Sequence, residues 1–181
     1  MANDHDLISP NDPEASAFAA AARAYCDFID AAIVQRPDPF YGPLQGLLIR
    51  LVETVEPLPC FPPSINERTQ AQLDEVAGKS AEPMGRSIAA VVSSDTKRLE
   101  EWASHDPDGN ERRFVLFDDL SDVYCELRGG LALWDLGHDL GRSAAVYKWR
   151  WGYEYVWGYD LFPALLTIYE MRFGLQIESL L

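Results

Sequence analysis

A chain of 181 residues with 48% hydrophobic content can close one globular core without disulfide or metal staples. Its 15 basic and 29 acidic side chains leave a formal charge of -14, which repels phosphate backbones and anionic lipid and excludes nucleic acid and charged membrane surfaces as partners. Cys26, Cys60 and Cys125 form no CxxC pair, which excludes a disulfide framework and a structural zinc site, and no apolar run reaches the ~20 residues of a membrane helix.

Residues 1–11, MANDHDLISPN, lack the basic and apolar regions of a signal peptide. They are expected to be a flexible tail, residues 12–181 a single helical domain, and the protein a resident of the reducing cytoplasm. Asp12-Pro13-Glu14 supplies an N-cap, a proline at the first helical position and an acid in the first turn. The helix it opens carries Phe18, Ala22, Tyr25, Ile29 and Ala32 on one stripe until RPDP at 36–39 breaks it.

Leu44, Leu47, Leu48, Leu51, Val52 and Val55 mark a second helix, ended by EPLPCFPP, where four prolines in eight residues remove backbone donors. Ser64-Ile65-Asn66-Glu67 has the form of a capping box and predicts a third helix over 65–77. Ile88, Val91, Val92, Leu99 and Trp102 predict a helix over 85–103, followed by turn chemistry in SHDPDGNE at 104–111. RRFVLF at 112–117 has a local strand-like character.

Phe117, Leu120, Tyr124, Leu127, Leu131 and Trp134 alternate steps of three and four and predict a helix over 117–134. Gly129 and Gly130 inside it suit a close helix approach, and Gly137 a stop. The segment YKWRWGYEYVWGY at 147–159 then places a ring at every odd position, the period of a strand. A strand that long is roughly 40 Å, and no partner segment exists to take up its hydrogen bonds. As a helix the rings fall into two i, i+4 rows, and a break between 158 and 163 is expected from Pro163. The chain therefore reads as all-α, a single-domain bundle of about five to seven helices with a central aromatic-rich helix.

DDLSDVYCELRGGL at 118–131, followed by AVYKWRWGYEYVWGYDL at 145–161, resembles an uncharacterised bacterial family, domain of unknown function 5063. The likeness covers roughly the C-terminal third, with a weaker match in AYCDFID and in the HDP turn. The positions that match are Asp118, Asp119, Asp122, Tyr124, Leu127, Trp149, Arg150, Glu154, Trp157 and Gly158. Where the family often carries histidines, this chain has Val156 and Asp160, so no role resting on those histidines is expected. The resemblance implies a helical fold and brings no activity, substrate or catalytic residue.

Asp119, Asp122 and Glu126 project from one side of their helix, and DDxxD resembles one motif of isoprenoid diphosphate synthases. Their second metal motif is absent, but all-α nucleotide pyrophosphohydrolases also pair acidic helices, so Asp119, Asp122 and Glu154 form a candidate Mg²⁺ set. The structural reading is that acids near a helix start favour its macrodipole and solvate an exposed face. Arg150 and Glu154 stand four apart and can pair with each other, or Arg150 can orient an anion. Trp149, Trp151, Tyr153, Tyr155 and Trp157 are core by their spacing, or else a cage for a cationic or flat ligand.

His5, His105 and His138 have no nucleophile beside them in the sequence. No catalytic residue is assigned, and the sequence leaves open whether the protein is an enzyme. The leading expectation is a non-catalytic helical domain that binds protein or a small ligand through Asp119, Asp122, Glu126, Trp149, Arg150, Glu154 and Trp157. The alternative is a Mg²⁺-dependent hydrolase or transferase acting on a phosphorylated substrate through the acidic cluster.

Overall fold

In the computed structural model, which describes residues 12–35, 37, 39–81, 88 and 109–173, Asp12 opens the first helix. Its Oδ1 accepts the Ala15 N–H at 2.8 Å, and Pro13 takes the first helical position, where no amide donor is needed. Helix α1, Pro13–Val34, buries Phe18, Ala22, Tyr25, Ile29 and Ala32, and ends where Gln35 turns extended. Helix α2, Tyr41–Val55, buries Leu44, Leu48, Leu51 and Val55.

Helix α3, Glu67–Ala81, starts two residues later and runs four residues further than the expected 65–77. Asn66 rather than Ser64 caps it, because the Asn66 Oδ1 accepts both the Thr69 N–H at 2.9 Å and the Thr69 hydroxyl at 3.1 Å. The tail at 1–11 and most of the helix expected at 85–103 lie outside the described residues; Ile88, which is described, is buried.

Helix α4 runs Gly109–Trp134 and absorbs the RRFVLF stretch, which is helical and not strand. The helix already under way from Gly109 decides the local backbone, and Leu116 falls into the core on the helical period. After α4 the chain reverses at Gly137, whose φ of 77° only glycine adopts readily. His138 then caps α5, Asp139–Tyr155, its Nδ1 accepting the Gly141 N–H at 2.9 Å.

The break in the aromatic segment comes at Val156, earlier than expected, and Pro163 lies inside the next helix, α6, Trp157–Phe173. Gly158 makes the early break possible, since a β-carbon there would stand 2.0 Å from the Tyr153 carbonyl oxygen. Helix α4 packs against α1, α3, α5 and α6, and α1 and α2 also pack together. One continuous core results. At its centre Phe18 lies 5.0 Å from the Trp149 ring and 6.2 Å from the Trp157 ring. The described residues form an all-α bundle, and no helix among them is long and apolar enough to cross a membrane.

Candidate functional site

The acids of α4 divide by depth as their helical spacing requires. Asp118 and Asp122 are exposed, Glu126 is half-buried and Asp119 is buried at 7% exposure. Glu126 is matched by Lys148 of α5 at 2.7 Å. The Asp119 Oδ2, by contrast, is buried without a hydrogen-bond partner, a costly condition for a charged carboxylate. Burial, followed by the nearby charges of Asp160, Asp118 and Asp122, pushes its pKa up to about 7.

Asp160 projects from the first turn of α6 and completes this acidic group. Burial and the charges of Asp122 and Glu126 hold it above the ordinary aspartate range, and burial with Asp118 and Glu126 does the same to Asp122. Asp119, Asp122 and Glu126 are thus joined by Asp160. Glu154 is engaged elsewhere: it accepts from the Arg150 Nε at 2.9 Å and faces the Cys60 Sγ at 3.9 Å. Among the described residues, no group of three or more His, Cys, Asp or Glu side chains is disposed to hold a metal ion.

Arg150 has a structural task. Its Nη1 donates to the Val55 carbonyl at 3.3 Å, the Glu56 carbonyl at 3.1 Å and the Glu56 carboxylate at 3.2 Å. It therefore closes the C-terminal end of α2, where helix carbonyls lack intrahelical partners and the dipole is negative. With Nε on Glu154, its guanidinium is occupied on both edges. Trp149 and Trp157 are fully buried, and their indole N–H groups donate to the Leu127 and Trp149 carbonyls at 3.4 and 3.1 Å. They form core, because no surface of either ring is open to a ligand.

A sequence model of the family described as domain of unknown function (DUF5063) matches residues 10–173, a span that encloses the six helices α1 to α6 of the described residues. The chain belongs to that family. No curated protein and no solved structure matches the DUF5063 chain.

The feature of this DUF5063 domain that the sequence reading missed is the outer face of α6. Tyr159, Phe162, Leu166, Tyr169 and Phe173 are 48–71% exposed and recur at steps of three, four, three and four. That signal was present in the sequence. It was masked because the opposite side of α6 also carries a row of apolar residues, with Trp157, Leu161, Ala164 and Ile168 buried, and a helix with apolar rows on two sides does not announce which is outward. Elsewhere, a groove of about 480 Å³ follows α1 past Ser16, Ala20, Arg23 and Trp134. Its arginine is already paired with Asp135 at 2.6 Å.

Proposed function

We propose that this chain is a non-catalytic protein-binding domain of the cytoplasm, with the outer face of α6 as its contact surface. The observation that carries the reading is the row from Tyr159 to Phe173, five large apolar side chains held half-exposed on one regular helix. An apolar patch of this size is often functional, and its aromatic side chains are of the kind that interaction surfaces use. The thiols agree with a binding role. Burial first of all raises the pKa of Cys26, Cys60 and Cys125, so none is prepared as a nucleophile. None of the three is held in a disulfide, which suits a reducing compartment.

The test is cross-linking capture with the wild type, a Phe162→Ser/Leu166→Ser variant and an Asp119→Asn variant. Loss of captured protein in the first variant alone supports the reading; an unchanged set in both counts against it. The second reading, a Mg²⁺-dependent hydrolase or transferase, draws on the unpartnered Asp119 Oδ2 beside Asp122 and Asp160. A Mg²⁺-dependent rise in melting temperature, absent from an Asp119→Asn/Asp122→Asn variant, would bring it forward. At about 100 times the dissociation constant, binding adds about 2.7 kcal/mol to stability.

A further inference from the structure

We infer that the occupant of the α6 face is a second copy of this chain, packed antiparallel to the first about a twofold axis near Leu166. The inference rests on the protein-binding reading above and names the partner.

Spacing is the first argument. The row Tyr159, Phe162, Leu166, Tyr169, Phe173 follows the alternation of three and four by which one helix seats against another along a narrow seam. Leu166 is its middle member. A twofold there lays each row along the other over about 22 Å of helix, with the same residues serving on both sides.

Area is the second. Five side chains at 48–71% exposure, each carrying roughly 150–250 Å² when aromatic, offer on the order of 500 Å² per protomer. A pair therefore removes about 1,000 Å² from water, the level a specific interface must reach.

Charge chooses between a second copy and a basic partner. Beyond the row, the exposed positions of α6 are Pro163 and Arg172, and none of the exposed residues of this helix is a carboxylate. Arg172 is itself occupied, its Nη1 donating to the Gln45 side chain and its guanidinium lying 4.9 Å from the centre of the Phe173 ring. A cationic partner finds no fully exposed carboxylate along this row, although the chain carries -14 overall. Two copies meeting through this row set no exposed carboxylate of α6 against another. Their like net charges act only at longer range, where salt screens them.

The experiment is sedimentation equilibrium on the full chain between roughly 1 and 100 µM, at ~0.05 M and ~0.5 M NaCl, for the wild type and for Phe162→Ser/Leu166→Ser. The wild type is expected to move from 20.3 kDa toward twice that mass as concentration rises, and to do so at lower concentration in the higher salt. The variant, whose two positions are exposed, is expected to keep its helical circular dichroism and stay at the monomer mass. A wild type that remains monomeric throughout, or a variant that dimerises as well as the wild type, overturns the inference. Association that weakens with salt overturns it as well, since that is the signature of attraction between opposite charges. If the wild type is monomeric while the variant still loses captured protein, only the identity of the partner fails; if the variant loses nothing, the binding reading fails with it.

Discussion

The indole of Trp149 lies so close over Gly130 that a β-carbon on the glycine would stand 1.9 Å from Nε1. Trp149 has no room to retreat, being fully buried, with its N–H on the Leu127 carbonyl and its own carbonyl accepting from Trp157. Gly130→Ala is expected to destabilise the fold by about 3 kcal/mol, the upper range for overpacking. Gly46→Ala is the control, because nothing lies within 4 Å of its added carbon and alanine favours the helix by about 1 kcal/mol. Urea titration of both variants should give opposite signs.

Asp119 sets a pH dependence with a definite sign. Its carboxyl titrates at about 7 in the folded chain against an ordinary value of 3.8, so folding retains a proton that the unfolded chain releases. Stability from this group is therefore full below the lower value, falls as pH rises between the two, and is lowest above the upper one. Asp119→Asn removes the ionisation and should stabilise the protein by about 1–3 kcal/mol at about pH 8, with little change near pH 4. Thermal melts across that range decide it; an equal effect at both ends would refute a buried, uncompensated carboxyl.

Tyr124 ties α1 to α4. Its hydroxyl donates to the Asp30 Oδ1 at 2.8 Å and accepts from the Arg128 Nε at 2.8 Å, while Arg128 and Asp30 form an ion pair beside it. Tyr124→Phe strands the arginine N–H and one carboxylate oxygen, a loss expected at about 1–3 kcal/mol. A double-mutant cycle with Asp30→Asn should return a coupling of about 1 kcal/mol or more, since the three groups share one network.

Arg150→Lys is expected to cost nearly as much stability as Arg150→Ala, about 1–2 kcal/mol in each case. A single ammonium cannot reproduce bonds to two carbonyls of the α2 end and two carboxylates at once. Chemical denaturation of both variants is the check, and full rescue by lysine would show that charge alone suffices.

Local signals were the legible ones. Asp12 and Pro13 act within one turn and Gly137 at a single φ, so they read directly from the sequence, whereas Gly130 signals a close approach without naming Trp149 as the neighbour. Signals that compete across the chain were misread. Pro163 promised the break, yet α6 accommodates it, while Gly158 against the Tyr153 carbonyl lets the chain turn at Val156 instead. The RRFVLF preference for strand yielded to the helix containing it. Asp119, Asp122 and Glu126 were legible as one face because helical spacing is local. That Asp160 joins them, while Glu154 serves the end of α2 through Arg150, depends on which helices meet.

The position of α4 bears on how the chain is made. Because α4 touches α1, α3, α5 and α6, a nascent chain that has not yet delivered residues 109–134 holds the apolar faces that α1 and α3 turn toward α4 without their cover. Those faces must wait on the ribosome, open to chaperones and to aggregation. A product truncated before Gly109 would then be no smaller domain but an adhesive helical fragment, which makes the second half of the message the part whose timely translation protects the first.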